Sequence, residues 1–374
     1  MIPFNKPYFS EKETDYIKEA VMSGKISGDG MFTQKCHSFF EQKYGFKKCL
    51  LTTSCTDALE MAAILLNVGE GDEVIMPSFT FVSTANAFVL RGAKIVFADS
   101  LPENPNIDTG LIESLITPNT KAIVVVHYAG IACNMNEVMD LATKYNLFII
   151  EDAAQAIDSY YEGRALGSIG HLAAFSFHET KNIISGEGGM LVINDEQFIK
   201  RAEIIREKGT NRSQFFRGEI DKYGWVDIGS SFLPSDIIAA FLFAQLEHLD
   251  DIQTKRKLLW NHYFSRFEGK TNGRFSIPSI PENATNNAHM FYLVFQSIEQ
   301  RREMIQILKE NDIHSVFHYL SLHKSEFYKE KHDGRELIES DRYTDCLLRL
   351  PMFYELSIEE VDRIADTILF NIQT

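Results

Sequence analysis

Leu147-Phe148-Ile149-Ile150-Glu151-Asp152-Ala153-Ala154-Gln155 and Phe175-Ser176-Phe177-His178-Glu179-Thr180-Lys181 are the stretches on which the reading of this chain turns. Each opens on a short apolar run and closes on a group with chemistry, a carboxylate in the first and an amine in the second. Short apolar runs bounded by small or polar residues read as buried strands. Further apolar runs lie at 49–53, 73–76, 94–98, 122–127 and 190–194, with helix-like segments such as 57–66, 82–90 and 136–144 among them. Strand alternating with helix predicts an α/β fold, a doubly wound and mostly parallel sheet with both faces covered. Gly92 falls where a helix C-terminal cap belongs, just before the run at 94.

After about residue 248 the character changes. A long polar helical stretch at 246–267 leads to Pro278 and Pro281, then a strand-like run at 289–295. A helix at 299–310, a strand at 315–319 and a last helix at 358–372 follow. The pattern predicts a large domain at 1–248 and a smaller C-terminal α/β domain at 249–374.

With 45% hydrophobic and 24% charged residues, the chain has the composition of a soluble globular protein. A formal charge of −15 argues against a nucleic-acid binder, whose footprint is basic. No apolar stretch is long enough to span a bilayer, and Met1-Ile2-Pro3-Phe4-Asn5-Lys6 lacks the apolar core of a signal peptide. The five cysteines are odd in number, scattered and never spaced as CxxC. They read as free thiols in a reducing cytoplasm, with no disulfide and no metal site.

In a doubly wound sheet, ligands gather at the carboxyl ends of the strands. A carboxylate at such an end, with a lysine after a later strand, suits pyridoxal 5′-phosphate. Lys181 would hold the cofactor aldehyde as a covalent imine, and Asp152 would keep the pyridine nitrogen protonated so that the ring accepts electrons. Alone, Asp152 reads equally as a helix N-cap. Gln155 is placed for the cofactor's phenolic oxygen, or is a plain polar helix residue. In Thr53-Ser54-Cys55-Thr56-Asp57 a strand ends in small polar residues and a helix begins. Ser54, Cys55 and Thr56 therefore offer a phosphate site at a helix N-terminus, or Thr56 is only its cap. Ser176 adds a second hydroxyl for the same phosphate. Phe81, after another strand end, either stacks on the pyridine ring or belongs to the core. Gly186-Glu187-Gly188-Gly189 permits tight backbone close to the lysine.

Taken together, Pro77-Ser78-Phe79-Thr80-Phe81, Glu151-Asp152-Ala153-Ala154-Gln155, the run 175–181 and Gly188-Gly189 resemble, in order and spacing, the sugar-nucleotide aminotransferases of the DegT/DnrJ group. The resemblance runs from about residue 2 to the C-terminus. It implies fold type I of the pyridoxal phosphate enzymes, L-glutamate as amino donor, and a homodimer with shared active sites. Many members carry Gly-x-Asn ahead of a helix whose asparagine reaches the partner subunit's cofactor phosphate. Here the run is Gly229-Ser230-Ser231-Phe232, which leaves Ser231 to supply that contact.

Within the group, the stretches 1–5, 23–30 and 207–218 are most similar to members acting on a dTDP-linked 4-keto-6-deoxy sugar. Phe317-His318-Tyr319-x-x-Leu322-His323 agrees, although Ser321 stands where proline is usual. The resemblance places His318, Tyr319 and His323 near the sugar, while each histidine, like His289, reads by itself as an ordinary packing or hydrogen-bonding residue rather than a catalytic one. Arg212 and Arg217 lie in a locally basic segment and either hold the substrate diphosphate or form a solvated loop. A 3-keto or UDP-linked sugar is an alternative substrate. Related dehydratases carry histidine at the lysine position, and Lys181 argues against that reaction. A non-catalytic metabolite-binding or regulatory protein on the same scaffold is the alternative of another class.

Overall fold

The computed structural model describes residues 1–372. Nine strands lie in its first part: β1 (Lys48–Thr52), β2 (Glu73–Pro77), β3 (Lys94–Ala98), β4 (Thr120–Val126), β5 (Phe148–Asp152), β6 (Tyr160–Tyr161), β7 (Arg164–Ala165), β8 (Leu172–Ser176) and β9 (Gly189–Ile193). Seven of them form one sheet in the order β1-β9-β8-β5-β4-β2-β3, while β6 and β7 pair as a small hairpin. Pairings from β3 across to β8 are parallel, and β9 runs antiparallel to both its neighbours. The expected mostly parallel α/β sheet is thus present, with one reversed strand.

Helices cover both faces because the strands are apolar on both sides. One core cluster includes Phe32, Ile123, Ile149 and Phe175, and the other Leu59, Val74, Val124 and Leu191. Helices α1 (Lys12–Met22) and α2 (Met31–Tyr44) precede the sheet, and α3 (Cys55–Leu65) and α4 (Val82–Val89) follow β1 and β2. Gly92 closes the turn before β3 with φ +89°, and a Cβ there would meet the Glu70 backbone nitrogen at 3.3 Å.

The expected helix at 246–267 is present but starts later, as Leu249–Phe267, because a preceding helix, Asp236–Glu247, runs into its expected start and the two part at His248. Strands β10 (Phe275–Ser276), β11 (Tyr292–Phe295), β12 (Val316–Phe317) and β13 (Leu347–Arg349) form a second sheet in the order β10-β11-β13-β12. Its core gathers Trp260, Phe291, Leu348 and Ile364, and also Ile2, which is bridged in parallel to Ile313. The chain's start is therefore stitched to this sheet, which brings Phe4 and Asn5 toward the ends of the large-sheet strands.

Candidate active site

A cavity of about 710 Å³ opens at the carboxyl ends of β5 and β8 and reaches the second sheet. Asp152 and Lys181 both line it. Successive strand residues point to opposite faces, so the acidic pair 151–152 divides its work. Glu151 accepts from the amides of Gly167, Ile169 and Gly170 at 2.6–2.7 Å and meets His127 Nε2 at 2.9 Å. Burial opposes charge on Glu151, yet His127 and these amides hold its carboxyl below the usual range. That buried clamp ties the 167–170 turn to β5. Asp152 faces the cavity, where Oδ2 accepts from Thr84 Oγ1 at 2.7 Å and Oδ1 from the Ala154 amide at 3.2 Å. Burial pushes its pKa up, against these bonds and the Lys181 charge.

Lys181 sits in the loop after β8, its amide bonded to the His178 carbonyl at 2.9 Å. Its Nζ makes no hydrogen bond or ion pair among the described residues. Burial lowers the Lys181 pKa, and the Arg349 charge works in the same direction. An amine so placed is drawn toward its neutral, nucleophilic form.

Ser54 rather than Thr56 caps α3: its Oγ accepts from the Asp57 amide at 3.1 Å. Thr56 lies inside the helix and donates to Ser83 Oγ at 2.8 Å. The extended backbone of Ser54 suits a cap, whereas Thr56 is already helical. Ser54, Cys55, Thr56 and Ser176 all line the cavity, so the first turn of α3 faces it. Gly189 presses against this turn, where a Cβ would lie 2.3 Å from the Ser54 carbonyl carbon. Phe81 is 55% exposed and lines the same cavity, which removes the core reading. Gln155 is committed on both ends of its amide. Oε1 accepts from the Ala129 amide at 2.6 Å and Nε2 donates to Tyr319 Oη at 2.9 Å.

Three residues of the second sheet's side were weakly legible. Tyr319 holds φ +46°, a left-handed conformation that costs an aromatic residue about 1–3 kcal/mol. Its ring stacks on His318 at 3.6 Å, and His318 Nδ1 meets Tyr128 Oη at 2.7 Å. His289 lines the cavity and its Nδ1 bonds Asn182 Oδ1 at 2.8 Å. Burial drives both histidines well below their ordinary pKa, with Arg349 and Lys181 adding to it, so both are neutral at pH 7.

Other expected site residues lie elsewhere. His323 does not line the cavity; buried, it bonds Ser78 Oγ at 2.7 Å and acts as a packing residue. Arg212, Arg217 and Ser231 line a separate cavity of about 550 Å³. There Arg217 pairs with Glu203 at 2.9 Å and Glu219 at 2.6 Å, and Arg212 lies 3.7 Å from Glu207. The segment's positive excess is largely answered by carboxylates, two of them, Glu203 and Asp29, from outside it.

The residues present fit pyridoxal phosphate. The cavity joins an unpartnered buried amine, a buried carboxylate and a helix N-terminus, the three polar features that an aldehyde, a pyridinium and a phosphate require.

The model of the DegT/DnrJ/EryC1/StrS aminotransferase family matches residues 7–369. Spore coat polysaccharide biosynthesis protein SpsC of Bacillus subtilis is 31% identical, over 98% of this chain and 96% of its own length. Spr1654 of Streptococcus pneumoniae, solved in a PLP form, is 28% identical with a TM-score of 0.90 over 100% of both chains. An aminotransferase from Psychrobacter cryohalolentis is 26% identical with a TM-score of 0.92, also over 100% of both.

Proposed function

The chain belongs to the DegT/DnrJ/EryC1/StrS aminotransferase family, and on that premise we propose that it moves an amino group from L-glutamate to C4 of dTDP-4-dehydro-6-deoxy-D-glucose. The product is dTDP-4-amino-4,6-dideoxy-D-galactose or its gluco epimer, as in dTDP-4-amino-4,6-dideoxygalactose transaminase, and it serves a surface polysaccharide such as O-antigen or enterobacterial common antigen. The protein is a pyridoxal phosphate-dependent sugar aminotransferase, and its cofactor is pyridoxal 5′-phosphate.

The observation that carries the reading is the single cavity shared by the Lys181 amine, the Asp152 carboxylate and the N-terminus of α3. Bound there, the cofactor supplies an aldehyde that carries the amino group and a ring that takes up the electron pair of a broken C–H bond. Lys181 Nζ holds the cofactor between turnovers, then accepts the donor's Cα proton and returns a proton to complete each half of the exchange. Asp152 retains the proton at the ring nitrogen. Its burial raises the cost of an unpaired carboxylate, so a cationic partner is strongly favoured. Ser54, Cys55, Thr56 and Ser176 hold the phosphate, and Phe81 covers the ring. Gln155, braced by Ala129 and Tyr319, directs an amide proton to the phenolic oxygen. His318 and Tyr319 line the sugar's side.

The same proposal divides the chain at about residue 248, where two helices part, a little ahead of Leu259, the first residue of the second core on that side. It includes a homodimer in which Ser231 and Arg212 act toward the partner subunit's site, while Arg217 stays with its two glutamates. Trp225 at 85% exposure and Phe216 at 67%, close to these residues, support a covered face. A cytoplasmic location accords with five free cysteines. Among the described residues no helix is long and apolar enough to cross a membrane.

Product analysis tests the reading. Incubation with L-glutamate and dTDP-4-keto-6-deoxyglucose should give a C4 amine whose configuration NMR reads. Amination of a 3-keto or UDP-linked sugar in preference would replace the substrate assignment and leave the cofactor chemistry standing.

A further inference from the structure

We propose that Arg349 receives the α-carboxylate of the amino donor and so sets the enzyme's preference for an amino acid over a simple amine. The inference rests on the aminotransferase reading of this cavity and adds a residue to it.

Strand alternation aims Arg349 into the cavity. Leu348 and Leu350 are fully buried in the second sheet's core, while Arg349 between them lines the opposite side with Lys181, His289 and His318. Its guanidinium is partly enclosed, with Nε fully buried, yet makes no ion pair among the described residues. Nη2 donates to the Phe317 carbonyl at a long 3.3 Å, and Nε is buried without any partner. Its charge also lies over the Phe4 ring at 4.7 Å and near the Tyr128 and Tyr319 hydroxyls. No carboxylate among the described residues compensates it, the two tyrosines offer only neutral hydroxyls, His289 and His318 are driven neutral and Lys181 is itself a base. Leaving a charged donor buried and unpaired is costly, so such a group signals an anion that arrives from solution. Its planar fork suits an oxyanion with two oxygens.

A donor carboxylate and a sugar diphosphate share this oxyanion chemistry, and position favours the carboxylate. In an amino acid the carboxylate is bonded to the carbon whose proton Lys181 must reach. The diphosphate is attached at C1, across the sugar ring from C4. The field of Arg349 bears on the Lys181 amine, as a group beside the reacting carbon should. The cations of the separate cavity are not among the main charges acting on Lys181 within one subunit.

The test separates the half-reactions in the holoenzyme by stopped-flow absorbance, using Arg349→Leu and Arg349→Lys. Loss of one charged contact should lower kcat/KM for L-glutamate about tenfold or more in Arg349→Leu. Arg349→Lys should recover part of that loss. The half-reactions with dTDP-4-keto-6-deoxyglucose and with benzylamine, which has no carboxylate, should change far less than that with glutamate and by a common factor, the effect of Arg349 on the Lys181 amine. Calorimetric Kd for 2-oxoglutarate, which does not turn over with the aldehyde form, should weaken in parallel with the glutamate effect. An equal fall in both halves without lysine rescue overturns the proposal in favour of a structural arginine. A fall confined to the sugar half makes the diphosphate its ligand and also overturns it. A wild type inert to glutamate that still binds 2-oxoglutarate through Arg349 sinks the aminotransferase reading alone.

Discussion

Two cavities of this molecule each carry a pair of prominent cations, and they differ in what answers the charge. Around Arg212 and Arg217 the guanidiniums face Glu207, Glu203 and Glu219, and Arg206 beside them meets Asp29 at 2.7 Å. In the other cavity Lys181 and Arg349 make no ion pair among the described residues, and Asp152 acts on Lys181 only across the cavity. The loop is the more basic along the sequence, but the deep cavity holds the more available charge. Half-exposed pairs such as that of Arg217 contribute little and release little on rearrangement. An enclosed, unpaired guanidinium beside a nucleophilic amine is poised for a ligand, and their separation along the chain hides them from any count of local charge.

That contrast is broken most severely at Lys181. Lys181→Ala removes both the covalent anchor and the proton carrier, and activity should fall by roughly 10⁴-fold. The variant should also lack the visible absorbance that borohydride abolishes in wild type. Near-normal turnover by purified protein would refute the assignment.

Asp152→Asn tests the acid facing that amine. It should keep the shape and lose the charge at the ring nitrogen, slowing turnover about a hundredfold, roughly 3 kcal/mol of barrier. Stability should move the other way. Because burial raises the folded pKa of Asp152 above 3.8, the folded state prefers the protonated carboxyl. That preference stabilises wild type fully below pH 3.8 and is lost as pH rises through the folded value. Cofactor-free Asp152→Asn should therefore match wild type in acid and exceed it near pH 8, as read from urea midpoints. A variant weaker than wild type at pH 8 would show that Asp152 is satisfied without the cofactor.

Arg217→Ala gives the smallest effect. A guanidinium already held by two glutamates should shift KM for the nucleotide sugar by no more than about twofold. A tenfold rise would sharpen the comparison, since it would require the loop to exchange its glutamates for substrate in the assembled dimer.

Much of the sheet was legible because its strands are buried on both faces and so read as continuous apolar runs. Asp152 and Lys181 were legible for the same reason, standing where such runs stop. Thr56 was misjudged as the cap because threonine and serine share cap chemistry, and only backbone geometry decides between adjacent candidates. His323 carries no local sign distinguishing a packing role from a substrate role; its partner Ser78 lies far away in the chain. Arg349 escaped notice because β13 has three residues, too few for a period to show. The signal was there in Leu347-Leu348-Arg349-Leu350-Pro351-Met352, one charge inside an apolar run. The Glu203 partner of Arg217 lies outside the segment whose charge was counted, so the sum misled.

One measurement bears most directly on the central claim that the Lys181 cavity runs a two-stage amino transfer. The purified holoenzyme is mixed with L-glutamate alone, and its visible band is followed before and after addition of dTDP-4-keto-6-deoxyglucose. The account predicts that glutamate bleaches the band with release of one equivalent of 2-oxoglutarate per site, and that the sugar then restores it. A band unaffected by glutamate, or bleached and not restored by any nucleotide-linked keto sugar, would contradict it.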